Sequence, residues 1–109
     1  GLMMGGLTEL STAVQLGLDL IVVVYNDRCY GAEHIQLVAK GLDPAASLHD
    51  WPDLCAVAHS MGFDTATITS LEDIDAAMDV VRNRTPGVPV LIEASIDPDV
   101  VSTIYQQLG

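Results

Sequence analysis

An amide and a carboxylate, Asn26 and Asp27, directly follow the most apolar segment of the chain, Leu20–Tyr25. That segment is rich in β-branched residues and lacks polar alternation, which is typical of a strand with both faces covered. In open α/β sheets, ligands bind beyond the carboxyl ends of the strands. Asp27 offers a hard oxygen ligand of the kind that Mg²⁺ prefers, and protein-bound Mg²⁺ often bridges to phosphate groups. The same residues also form ordinary turns, so this pair alone leaves both interpretations open.

A second feature suited to anion binding is the glycine-rich segment at residues 1–6, which precedes a predicted helix. Backbone N–H groups at the start of a helix can bind phosphate. The chain has four Lys and Arg residues against 15 Asp and Glu residues, giving a net charge of −11. Nucleic-acid binding requires clustered Lys and Arg, so the composition argues against a nucleic-acid partner. A phosphate ligand would instead depend on N–H groups or a bridging cation.

Helical and strand patterns alternate along the chain. Strands are predicted at residues 18–25, 63–69 and 88–94, and helices at residues 7–16, 31–40, 50–61, 70–84 and from 97 onward. Asp50, Ser70 and Asp97 are the expected helix starts, and Gly17 is expected to end the first helix. Residues 42–49 are predicted to form a loop.

In this order a helix connects each strand to the next, and such connections are right-handed crossovers between parallel strands. We therefore predict an α/β fold with a mostly parallel sheet and helices on both faces. The strand at residues 18–25 is expected at the centre of the sheet. A central strand needs a neighbour on each side, and we therefore expect at least one further strand before Gly1. The 109 residues form one domain or part of one.

Composition also bears on location. The longest uncharged run is far too short to cross a bilayer, and no secretory signal pattern is visible. Cys29 and Cys55 form no metal-binding spacing, and two separate cysteines fit a reducing cytoplasm better than a disulfide-linked secreted domain. We therefore expect a cytoplasmic protein without a membrane partner, in which both cysteines are structural.

Taken together, the two candidate features resemble the thiamine diphosphate motif, in which Gly-Asp-Gly is followed by about two dozen residues and then Asn-Asn or Asn-Asp. Here Gly1 is followed by 24 residues and then by Asn26-Asp27, with Tyr30-Gly31 just beyond. Residues 4–18, 89–93 and 97–98 also resemble the acetolactate synthase, benzoylformate decarboxylase and pyruvate decarboxylase group. The resemblance covers essentially the whole chain, residues 1–109. It implies the C-terminal part of a doubly wound thiamine-diphosphate-binding domain.

The resemblance also implies a set of site residues. Metal ligands would be the Asp27 side chain and the Cys29 backbone carbonyl, and a third ligand, an aspartate before Gly1, is not in this sequence. Residues implied in cofactor binding are Gly1, Leu2, Asn26, Tyr30 and Gly31. Among these, Asn26 would support the loop and the others would line the diphosphate. Leu2 can offer only its N–H, where some relatives have a serine hydroxyl.

By this resemblance the chain is part of a thiamine-diphosphate- and Mg²⁺-dependent enzyme that decarboxylates or joins 2-oxo acids, a lyase or transferase. The cofactor carries that chemistry. The family's activating glutamate comes from another domain, usually of another subunit, so we assign no catalytic residue and expect a homo-oligomer, dimer or tetramer, in the intact enzyme. His34 lies just after the loop and is either near the site or an exposed helix histidine. The alternative function is a non-catalytic, flavodoxin-like ligand-binding or interaction domain.

Overall fold

The computed structural model describes residues 2–106, which fall into two compact units. The first unit comprises residues 2–25 and 52–95, and the second comprises residues 26–51 and 96–106. In chain order the elements are α1 (Glu9–Gln15), β1 (Ile21–Asn26), α2 (Gly31–Ala39), α3 (Leu54–Ser60), β2 (Asp64–Ile68), α4 (Asp73–Asn83), β3 (Val90–Ser95) and α5 (Thr103–Gln106), with short 3₁₀ helices at Leu2–Met4 and Pro44–Ser47. The predicted α/β class and the predicted order of helices and strands are confirmed.

The strands form one three-stranded sheet in the order β1-β3-β2. β2 and β3 are parallel, with Asp64 opposite Val90 and Ile68 opposite Ala94. β1 also runs parallel to β3, because the carbonyl of Leu20 accepts a hydrogen bond from the N–H of Val90 and the carbonyl of Asn26 accepts one from Ile96. The predicted parallel sheet is therefore confirmed.

Among the described residues, β1 lies at one edge of the sheet with β3 as its neighbour. Its predicted central place requires a further strand and stays a prediction. Its side chains alternate between exposed and half-buried along the strand, and Tyr25 is 74% exposed. The central strand is β3, in which Val90, Leu91 and Ile92 are all buried. Both strands contain an apolar run, and β3 also carries Glu93. β3 is central because it is hydrogen-bonded to β1 on one side and to β2 on the other.

In the first unit, helices cover both faces of β3. On one face, Leu91 packs with Leu10 of α1 and with Cys55 and Ala58 of α3, around the buried ring of Phe63. On the other face lies a second cluster of four buried side chains: Val90, Ile92, Ala77 and Val81. Neighbouring residues of a strand point to opposite faces, so one short apolar segment contributes to both clusters.

The helix starts differ from those predicted. α3 is capped by Asp53, not Asp50, because the Asp53 carboxylate accepts a hydrogen bond of 2.8 Å from the N–H of Ala56. α4 begins at Asp73, whose carboxylate accepts hydrogen bonds from the N–H groups of Thr69 and Ser70, so Ser70 is a donor rather than the cap. Competing Asp and Ser residues near a helix start make either assignment compatible with the pattern.

The last predicted helix also begins later, at Thr103 rather than Asp97. The side chain of Asp97 instead accepts a hydrogen bond of 2.9 Å from the N–H of Asp99, forming a turn. The apolar face predicted for this last helix included Leu108, which lies outside the described residues.

Two glycines in left-handed conformation bring the starts of β1 and β3 together. Gly17 has φ +60° and ends α1 as predicted, and Gly87 has φ +80°. A β-carbon on Gly87 would lie 3.4 Å from the carbonyl oxygen of Gly17. The carboxylate of Asp19 accepts a hydrogen bond of 2.8 Å from the N–H of Gly87, which links the two turns further.

Candidate functional site

The loop that follows β1 is held by its own side chains. Oδ1 of Asn26 accepts a hydrogen bond of 3.0 Å from the N–H of Arg28, and Oδ1 of Asp27 accepts one of 3.1 Å from the N–H of Cys29. Arg28, between these two turns, has φ +57°, the left-handed conformation that non-glycine residues seldom adopt. Short Asn and Asp side chains favour such turns because they bond to backbone two residues on. The local sequence therefore fixes where the Asp27 carboxylate lies.

The Asp27 carboxylate lies beside the first residue of α2. A β-carbon on Gly31 would be only 3.0 Å from Oδ2 of Asp27, a distance at which one of the two groups must shift. α2 begins at Gly31 and continues to Ala39. The positive end of a helix dipole favours a carboxylate or a phosphate at this position. Gly31 thus keeps the helix start open to the Asp27 carboxylate.

A second segment, Pro44–His49, is hydrogen-bonded to the same loop, and we call it the clasp. The N–H of Tyr30 donates to the carbonyl of Ser47 over 2.8 Å, and the N–H of His49 donates to the carbonyl of Arg28 over 2.9 Å. These two bonds form an antiparallel bridge between Cys29 and Leu48. The bridge uses the groups on either side of Cys29, so the carbonyl of Cys29 itself takes no part in it.

Three rings, those of Tyr30, Trp51 and the clasp residue His49, lie in contact with one another. The imidazole of His49 lies edge-on to the ring of Tyr30 at a centroid distance of 4.3 Å and stacks on the indole of Trp51 at 4.6 Å. Nε2 of His49 is buried without a hydrogen-bond partner among the residues that the structure describes. These ring contacts orient Tyr30, one of the residues implied in cofactor binding.

The thiol of Cys29 is poorly suited to nucleophilic chemistry. Burial raises the pKa of the Cys29 thiol, and the negative charge of Asp27 and a hydrogen bond to that carboxylate raise it further. A thiol with a raised pKa remains protonated near neutral pH, and only the thiolate is a good nucleophile or metal ligand. The role of the Cys29 backbone carbonyl as a metal ligand stays a prediction.

The donor atoms of Asp27 and Cys29 fit the chemistry of a magnesium site. A carboxylate oxygen and a backbone carbonyl are both hard ligands, and Mg²⁺ usually takes only a few protein ligands together with water and phosphate oxygens. The hydrogen bond that Oδ1 of Asp27 accepts leaves further lone pairs on the carboxylate. The buried thiol of Cys29 is not needed for this donor set.

The described site residues fall in two different units of the structure. Five of them lie in the second unit in one short stretch: Asn26, Asp27, Cys29, Tyr30 and Gly31. Leu2 belongs to the first unit, where its side chain packs against the apolar cluster around Phe63. Gly1 lies outside the described residues.

One further cluster of possible ligands was not found from the sequence. Oxygen or sulfur atoms of Asp53, Cys55 and Glu93 lie within 4.8 Å of one another in the first unit. The thiol of Cys55 donates a hydrogen bond to the carbonyl of Ala66 and accepts one from the hydroxyl of Thr67. Residue spacing gives no signal for this cluster, because the parallel strand pairing brings Glu93 to α3 from far along the chain.

Comparison with known families matches most of the chain. Residues 1–94 match the family model described as thiamine pyrophosphate enzyme, C-terminal TPP binding domain. The chain therefore belongs to the thiamine pyrophosphate enzyme family, through its C-terminal cofactor-binding domain. Comparisons with curated proteins and with solved structures gave no match.

The family match confirms the predicted resemblance and supports thiamine diphosphate as the cofactor. It favours a cofactor-binding domain over a non-catalytic flavodoxin-like domain. Among residues 2–106, no helix has both the length and the hydropathy needed to cross a membrane. Within the same residues, Cys29 and Cys55 are free thiols, and both are buried.

Proposed function

We propose that this chain binds the diphosphate of thiamine diphosphate through a magnesium ion, as part of an enzyme that acts on 2-oxo acids. The observation that carries this proposal is the turn in which Asp27 is fixed beside the start of α2 at the carboxyl end of β1. The turn lies within the stretch that matches the cofactor-binding family. Residues 95–109, beyond that stretch, would belong to the same domain.

The metal would be held by the Asp27 carboxylate and the Cys29 carbonyl. The chain has a net charge of −11, so a diphosphate would be repelled without a cation. A divalent ion at Asp27 offsets that repulsion locally and gives the phosphate oxygens a ligand position. The charge of the chain thus supports a magnesium-dependent mode of binding.

The diphosphate would lie at the N-terminus of α2. Gly31 leaves room for a close approach there, and the first N–H groups of a helix lack partners within the helix. Tyr30 and Gly31 would line the diphosphate from this side, while Asn26 would hold the turn.

The enzyme would be a decarboxylase or carboligase similar to acetolactate synthase. When bound, the cofactor would supply a nucleophilic carbon for reaction with 2-oxo acids. The part of this chain would be to bind and orient the cofactor, with the activating glutamate supplied by another domain of a homo-oligomer. Two free cysteines are compatible with a cytoplasmic enzyme.

The binding proposal is tested by calorimetric titration of the chain with thiamine diphosphate in excess Mg²⁺, with and without a chelator. We expect binding that requires Mg²⁺ and that Asp27→Ala weakens by about 10- to 100-fold or more, the usual effect of disturbing a metal site. Asp97→Ala is the matched control, because Asp97 forms the same type of turn with the N–H of Asp99 at 2.9 Å.

Binding that persists with chelator, or that is equal in Asp27→Ala and Asp97→Ala, would contradict the proposed metal site. The substrate class is tested separately on the enzyme that contains this domain, by carbon dioxide release from a series of 2-oxo acids. The corresponding 2-hydroxy acids serve as controls, because they lack the carbonyl that the cofactor attacks. Equal release from both series would refute the proposed reaction.

A further inference from the structure

Ser47 is a buried polar residue that links three parts of the second unit. It lies at the end of the 3₁₀ helix Pro44–Ser47 and is only 2% exposed. Its carbonyl accepts a hydrogen bond of 2.8 Å from the N–H of Tyr30, the residue that precedes α2. Its hydroxyl is shared between the carbonyl of Pro44, at 2.6 Å, and Nδ1 of His34, at 2.9 Å. The site loop, α2 and the clasp therefore meet at one residue.

The two hydroxyl contacts fix the tautomer of His34. A serine hydroxyl has one hydrogen, and here it is directed to the carbonyl of Pro44, which can only accept. The Ser47 oxygen must then accept from His34, so Nδ1 of His34 carries a hydrogen. In the neutral imidazole this is the Nδ1–H tautomer, which leaves Nε2 without a hydrogen.

We propose that Ser47 and His34 are positioning residues that hold the Asp27–Gly31 loop in the conformation that binds metal and diphosphate. This inference rests on the proposed function. His34 lies in the first turns of α2, and Ser47 holds the Tyr30 amide where the loop enters that helix. The pair thus couples the orientation of α2 to that of the loop.

The hydroxyl of Ser47 is the group on which this arrangement depends. Ser47→Ala leaves the carbonyl in the chain but removes the acceptor for His34 and the donor for Pro44. A half-buried donor such as Nδ1–H of His34 loses free energy when its partner is removed, and the clasp can lower that cost by moving away from α2. Because the carbonyl of Ser47 moves with the clasp, the hydrogen bond to the N–H of Tyr30 weakens as well.

The first test reads the positions of hydrogens without any cofactor. Long-range proton–nitrogen NMR correlations of the neutral imidazole should show the Nδ1–H tautomer for His34. Amide exchange should be about 5- to 10-fold faster at Tyr30 in Ser47→Ala, the effect of weakening about one hydrogen bond. Exchange at Leu91, in the core of the first unit, should stay unchanged.

The second test measures affinity for thiamine diphosphate in excess Mg²⁺. Ser47→Ala and His34→Leu should each raise the dissociation constant about 5- to 10-fold, because each removes one hydrogen bond from the support of the loop. His34→Asn should restore affinity to within about twofold of wild type, since its amide nitrogen can replace Nδ1 as donor. Ser60→Ala is the matched control, because the exposed Ser60 hydroxyl also donates to a carbonyl three residues earlier, that of Val57 at 2.7 Å.

The outcomes separate this inference from the proposed function. A wild-type chain that is folded but binds no cofactor would refute the binding proposal. The tautomer of His34 and the exchange rate of the Tyr30 amide would still decide whether Ser47 and His34 hold the loop. An Nε2–H tautomer, or equal exchange at Tyr30 in wild type and Ser47→Ala, would overturn the inference. So would His34→Asn binding as weakly as His34→Leu in a chain that binds cofactor.

Discussion

Replacing Gly31 by alanine separates the stability of the loop from its ability to bind metal. Gly31 is the first residue of α2, and the added β-carbon would lie 3.0 Å from Oδ2 of Asp27. Alanine favours a helix over glycine by up to about 1 kcal/mol in the interior of a helix, and by less at its end. The substitution should therefore leave the chain folded, with little change in stability.

The effect on the metal site should be larger. Ordinary contacts between carbon and its neighbours begin near 3.5 Å, so the carboxylate must retreat by roughly 0.5 Å. A magnesium ligand is held at about 2.0–2.1 Å, and metal sites tolerate deviations of only about 0.2 Å. We therefore expect the affinity for Mg²⁺ with thiamine diphosphate to fall by about tenfold or more, the range seen when groups that orient a ligand are changed.

Urea denaturation measures the stability of each variant, and calorimetric titration of the same samples measures its affinity for Mg²⁺ with thiamine diphosphate. A variant with wild-type affinity would refute the reasoning, because it would show that the position of the Asp27 carboxylate does not matter for binding. The stability data include a control in the Asp27→Ala background. There the carboxylate is absent, so Gly31→Ala should stabilise the chain by a few tenths of a kcal/mol more than it does in wild type, a coupling of the kind expected for residues in contact.

Three further results are expected. Alkylation of Cys29 by iodoacetamide at about pH 8 should be slower than that of an exposed cysteine, and faster in Asp27→Ala than in wild type, because the Asp27 carboxylate raises the thiol pKa. Faster alkylation of wild type than of Asp27→Ala would contradict this. Hydrogen bonds from Thr69 and Ser70 hold the pKa of Asp73 below its usual value, so the folded state favours the carboxylate. The urea midpoint of Asp73→Asn should therefore be lower than that of wild type above about pH 4, and the gap should close as the pH falls through the lowered pKa; a gap that widens in acid would be inconsistent. Phe63→Ala should lower the free energy of unfolding by about 3–5 kcal/mol, because the Phe63 side chain is only 1% exposed. Leu71→Ala should change it by less than about 0.5 kcal/mol, because Leu71 is 84% exposed. Equal losses in the two variants would argue against the described core.

Local signals predicted the order of the elements. Gly17 ends α1 in the left-handed conformation expected of it, and the apolar runs mark β1 and β3. The helix starts were less predictable, because several residues near each start can accept the same N–H hydrogen bonds. Asp53 rather than Asp50 caps α3, and which of the two does so depends on the backbone conformation of residues 50–53.

Long-range features were the least accessible to sequence reasoning. The place of β3 at the centre of the sheet depends on its pairing with both β1 and β2, which are distant in sequence from one another. The bond between His34 and Ser47 joins residues that are 13 positions apart, and no periodicity links them. The turns at Asn26 and Asp27, in contrast, each join residues only two positions apart, so local sequence is enough to form them.

The ring stack of Tyr30, His49 and Trp51 gives the chain an intrinsic optical probe. Trp51 is its one tryptophan, so all indole emission comes from a residue whose ring lies 4.6 Å from His49. That imidazole lies against Tyr30, which adjoins Cys29 and Gly31. An event that moves the loop must therefore change the surroundings of the indole, and unlabelled protein can report it through emission wavelength and intensity. A stopped-flow instrument could then follow the loop in real time.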